Sequence, residues 1–73
     1  MTDLTPWTVG QLVRAMRDDL ALAHGPHEVA CVRLCCARDI ARLALSRKLT
    51  PGESAIAESN GFAHAARNPQ SVP

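Results

Sequence analysis

Seventy-three residues make at most one small domain, of a size at which a single core leaves only about 3–5 kcal/mol of net stability. With 47% apolar residues but no Tyr, one Trp and one Phe, the core must be built from Leu, Val, Ile, Ala and Met, an alanine-rich stock that suits helices better than strands. A net charge of +1 argues against a general electrostatic nucleic-acid binder, which needs a strongly basic face.

The periodic pattern begins near Thr8. Thr8, with Gln11 three residues on, has the form of a capping box, and Trp7 with Leu12 can make the accompanying hydrophobic staple. A first helix is predicted from about Thr8, with Thr5-Pro6 offering an earlier cap and first-turn proline. Val9, Leu12, Val13, Met16 and Leu20 then recur at helical spacing until His24-Gly25-Pro26 stops the run. The second element extends from Glu28 toward Thr50-Pro51, where the residue before proline is pushed out of helical geometry. Residues 29–35 contain Val29 and Val32 and admit a short strand, which would make the fold α+β. Continuous helix is expected instead, because no second β-rich run exists to pair with a lone strand. Thr50-Pro51-Gly52-Glu53 repeats the capping pattern and starts a short third helix. Asn60-Gly61 is its expected C-terminal cap, with Phe62 folding back as the apolar contact.

From Asn68 the sequence Asn-Pro-Gln-Ser-Val-Pro has neither periodicity nor much apolar surface, so a disordered tail is expected over 68–73. The predicted fold is all-α: one compact three-helix domain over residues 1–67, with flexible N- and C-terminal tails. Its expected core is Val9, Leu12, Val13, Met16, Leu20, Val29, Val32, Cys36, Ile40 and Leu43.

Three cysteines cannot all pair, and no charged leader precedes an apolar run and cleavage site, so a reduced, cytosolic protein is expected. Arg33 and Arg38 interrupt the longest apolar runs, leaving them far short of the roughly 20 residues that span a bilayer. His24, His27, Cys31 and Cys35 have the right donor atoms for zinc, but they lack the close Cys-x2-Cys or His-x3–5-His pairs of common structural sites, and no metal is expected. The cysteines read as small hydrophobes and the histidines as polar turn residues. Cys35-Cys36 is not a Cys-x-x-Cys redox motif, and no phosphate loop, oxyanion motif or paired acid accompanies a nucleophile, so neither an enzyme nor a cofactor is expected.

The second helix is apolar on two opposite faces at about 100° per residue. Val29, Val32, Cys36, Ile40 and Leu43 share one stripe, and Cys31, Leu34, Ala41 and Leu45 the other. The helix is also basic: from residue 29 to 50, Arg33, Arg38, Arg42, Arg47 and Lys48 stand against a single acid, Asp39. One stripe packs on the chain's own helices. The other, with Arg38 and Arg42 among its apolar residues, is available to another molecule, since arginine joins an apolar stem to a planar multidentate head. Leu34, Arg38, Arg42 and Leu45 are therefore the predicted partner-binding residues. The plainer reading is that neighbouring helices cover Leu34 and Leu45 while the arginines snorkel to water. A helix-turn-helix across Thr50-Pro51-Gly52 would place Glu53, Ser54, Glu58 and Asn60 on its recognition helix, without Arg or Lys for phosphates or guanine edges, so direct DNA binding is not expected.

From Met1-Thr2-Asp3-Leu4-Thr5-Pro6-Trp7-Thr8, through the Cys35-Cys36 helix, to Ser71-Val72-Pro73, the chain resembles the small phage-encoded regulators of host RNA polymerase, early transcription inhibitors and antiterminators of Xanthomonas phages. The resemblance lies in length and overall sequence and carries no motif that assigns a role to a residue. It implies a noncatalytic protein of the host cytoplasm that binds the N-terminal region of the polymerase β′ subunit. Such a protein inhibits σ-dependent initiation and lets elongation pass intrinsic terminators, with no small-molecule substrate and no membrane. On the residues alone, a small DNA-binding transcriptional regulator or an inhibitor of another host protein are the alternatives.

Overall fold

In the computed structural model, which describes residues 7–73, both predicted capping boxes form. Thr8 Oγ1 accepts the Gln11 N–H at 3.2 Å and Gln11 Oε1 accepts the Thr8 N–H at 2.9 Å, starting α1 (Val9–Ala21). Thr50 and Glu53 exchange the same two bonds, at 3.2 and 3.0 Å, at the head of α3 (Pro51–Ser59). The earlier cap considered at Thr5-Pro6 lies outside the described residues.

Between them runs α2 (Pro26–Ser46). Gly25 precedes it with φ 138°, a conformation that side chains with a Cβ rarely adopt. Pro26 occupies the first turn, where its missing N–H leaves no bond unmade. The turn is closed by Glu28, whose Oε2 accepts the His24 N–H at 2.8 Å. Residues 29–35 lie wholly inside α2, and no strand occurs among the described residues.

The end of α3 has both bonds of a Schellman motif. Gly61 adopts φ 84°; the Phe62 N–H donates to the Ala57 carbonyl at 2.8 Å and the Gly61 N–H to the Glu58 carbonyl at 3.2 Å. A fourth helix, α4 (Ala63–Arg67), follows directly. In place of the structureless segment expected from Asn68, Pro69–Ser71 forms a 3₁₀ turn and Val72 packs against the core. Both pieces are too short to leave a period in the sequence.

The central element is α2, with α1 along one side and α4 and the 3₁₀ turn along another, while α3 bridges α1 and α4. The core combines Val9, Leu12, Val13 and Met16 with Cys36, Ile40, Ala41 and Leu43, and is completed by Ala57, Phe62 and Ala65. Leu20 and Val32 are half-buried at its edge. Val29, expected inside, is 36% exposed. Glu53 bonds α1 at Val9, Asn60 bonds it at Arg17, and Phe62 meets α2 at Arg33, all away from the α1–α2 turn beside Val29. Ala41, assigned to the open stripe, is 4% exposed because α4 and the 3₁₀ turn cover that side of α2.

One buried carboxylate ties the elements together. Glu53 Oε1 accepts the Thr50 N–H and Arg47 Nη1, while Oε2 accepts Arg47 Nη2 at 2.8 Å and the Val9 N–H at 3.0 Å. Arg47 also donates to the Trp7 carbonyl at 2.8 Å. The start of α1, the end of α2 and the cap of α3 thus meet on two oxygens.

Candidate interaction surface

Leu34, Arg38, Arg42 and Leu45 are all exposed on α2, Leu34 by 40% and Leu45 by 57%. They do not form one uninterrupted stripe. The chain beyond the 3₁₀ turn crosses between them in an extended conformation, with Arg38 Nε donating to the main-chain oxygen of Pro73 at 2.8 Å. On one side of this strap, Leu34 lines a hollow with Ala37, Phe62 and Ala65; on the other, Arg38, Ala41, Arg42 and Leu45 line a second with Pro69. Val72 and Pro73 border both. The two hollows are therefore one trough along α2, divided by the chain itself.

Most of the cations that concentrate on α2 and its C-terminal extension are not equivalent. Arg33 lies over the Phe62 ring at 5.0 Å and donates to the Asn60 carbonyl at 3.0 Å, so it clasps the α3–α4 corner. Arg47 is held by Glu53. Arg38 makes a single bond to the strap, and the Arg42 guanidinium forms no ion pair among the described residues. Arg42 also borders a groove between α1 and α2, whose walls include Leu12, Met16, Val32 and Cys36, with Trp7, Asp19 and Asp39 beside it. It stands on the ridge between groove and trough.

The thiols divide in the same way. Cys36 is buried against α1, its Sγ 3.7 Å from the Leu12 carbonyl, and burial, reinforced by Asp39, pushes its pKa up to about 11. It stays a protonated packing residue at neutral pH. Cys31 and Cys35 are exposed. Cys31 Sγ lies 3.9 Å from His27 Nε2 across one helical turn, while His24 sits in the turn before α2. Among the described residues, no group of three or more His, Cys, Asp or Glu side chains is placed to hold a metal ion, and no helix is long and apolar enough to cross a membrane.

Two features were not read from the sequence. The pairing of Glu53 with Arg47 and Val9 joins positions up to 44 apart, and no local spacing encodes it. The strap carries a weak signal, a valine that the following Pro73 biases toward an extended backbone. No family model, curated protein or solved structure matches the chain.

Proposed function

We propose that the protein is a noncatalytic binder of host RNA polymerase that acts in the host cytoplasm, engages the N-terminal region of β′, represses σ-dependent initiation and promotes antitermination. The supporting observation is the outer trough of α2, where two exposed leucines flank two exposed arginines, of which Arg38 bonds the strap and Arg42 forms no ion pair among the described residues. The choice of polymerase comes from the whole-chain resemblance. Exposed apolar side chains interleaved with arginine suit a protein interface better than a phosphate backbone, which selects for charge.

The test is reversal of both charges in an Arg38→Glu plus Arg42→Glu variant, titrated against polymerase beside its thermal melt and in vitro transcription from a σ-dependent promoter. Arginines desolvated at an interface should cost more than the about 1 kcal/mol of an exposed ion pair when reversed. Affinity and repression should fall together, with the melt nearly unchanged. Unchanged affinity in the folded variant would move the interface toward Trp7 and Arg14, and failure of the wild-type chain to bind polymerase would end this reading.

A DNA-binding reading gains one observation, because α3 and α4, joined at Gly61, form a helix pair whose second member carries His64 and Arg67. That helix has five residues, about 7.5 Å at 1.5 Å per residue, and Arg67 is paired with Glu58. It presents little to a major groove, where recognition takes three or four side chains. Polymerase binding is the better-supported function.

A further inference from the structure

We propose that the trough on α2 is a receptor for an extended aliphatic peptide segment, that residues 72–73 occupy it in cis, and that the partner binds by displacing them; this rests on the reading of α2 as the binding face. The seated strap shows what the trough accepts. Val72 is extended, with φ −83° and ψ 126°, and places a β-branched side chain against the core. Arg38 Nε donates to the adjoining main-chain oxygen of Pro73 at 2.8 Å. Ala37 and Ala41 contribute only methyl groups where a second backbone comes close. An apolar side chain beside a main-chain oxygen acceptor is thus the matching unit.

The strap has exposed Leu34 on one side and exposed Leu45 on the other, so a partner segment in its place has an apolar neighbour on each side. Main-chain hydrogen bonds together with pockets for side chains are a general way of recognising extended peptides.

The cis occupant is held weakly, by one exposed hydrogen bond and one half-buried valine. It therefore lowers apparent affinity by the fraction of molecules in which the trough is open, and removing it should restore that fraction.

The experiment uses the full chain carrying Val72→Lys, whose ammonium is repelled by Arg38 and Arg42 and cannot replace the valine's apolar contact with the core. Polymerase should bind this variant severalfold more tightly than wild type, by roughly the inverse of the fraction of wild-type molecules in which the trough is open. The six-residue peptide with the sequence of residues 68–73, added to V72K at millimolar concentration, should weaken polymerase binding and shift the NMR methyl signals of Leu34, Ala41 and Leu45. Val72→Ser provides the same comparison if V72K melts early. Unchanged or weaker polymerase binding by a folded variant overturns the displacement, because the strap is then irrelevant or part of the interface. If the wild-type chain does not bind polymerase, the functional reading fails separately. The peptide titration then decides the receptor itself: shifts confined to the trough support it, and no shift at several millimolar refutes it.

Discussion

Glu53 shows how much one side chain can hold in so small a chain. It is 7% exposed, and burial alone would favour its neutral form, yet the Arg47 guanidinium and the Thr50 and Val9 N–H groups hold its pKa down at about 2. All four bonds require the carboxylate rather than the acid. A group whose folded pKa lies below its unfolded value, about 4.3 for Glu, contributes stability that is complete above the unfolded pKa and is lost as pH falls through the folded one. Wild-type stability should therefore drop between about pH 4.3 and pH 2. Glu53→Gln should cost roughly 2–3 kcal/mol at pH 7, because it breaks charge-assisted bonds at a buried site. Urea titrations of both proteins at pH 7 and near pH 2 provide the check: the gap should narrow in acid, and a gap independent of pH would show that the carboxylate charge contributes nothing.

At the scale of elements, the corner between α3 and α4 is set by backbone geometry. Gly61 has φ 84°, and a Cβ built there would sit 3.0 Å from Arg33 Nη2. That guanidinium is the far end of a flexible side chain, but it is held over Phe62 and on the Asn60 carbonyl. Gly61→Ala should therefore destabilise by about 1–2 kcal/mol, from the left-handed backbone and a disturbed clasp together. Equilibrium urea unfolding measures it, and a loss below about 0.5 kcal/mol would mean that the corner relaxes freely. This corner was legible in the sequence for the same reason as the caps at Thr8 and Thr50: each depends on residues two to five apart. The division of α2 into a covered and an open side was only partly legible. A helical wheel places Ala41 with Leu34 and Leu45, but alanine is small enough to vanish beneath α4 while the leucines beside it stay outside. Nothing in the spacing announces α4 or the strap, because five alanine-rich residues and a Pro-Gln-Ser turn owe their position to the surface they pack on.

Across the whole molecule, burial is unevenly distributed along α2, and stability should follow it. From Cys36 to Leu43 the helix holds four buried core residues and has α1 on one side and α4 with the 3₁₀ turn on another. The opposite end has no such cover. Leu22 is 75% exposed, Val29 36%, and His27, Glu28, Ala30 and Cys31 are also exposed. Opening the first turns of α2 would thus release few apolar contacts, whereas opening the second half dismantles the core and the Arg47–Glu53 tie at its end. Local opening free energies scale with the contacts that must be broken. In native-state hydrogen exchange, the amides of Ile40 to Leu43 should be protected up to the global unfolding free energy, and those of Ala30 to Val32 should exchange through a smaller opening at least about 1 kcal/mol below it. Added urea should leave the second opening almost unaffected while lowering the first, since only global unfolding exposes the core. Equal protection along the helix would instead show that α2 melts as one unit, and that the uncovered α1–α2 turn is stabilised as strongly as the packed half.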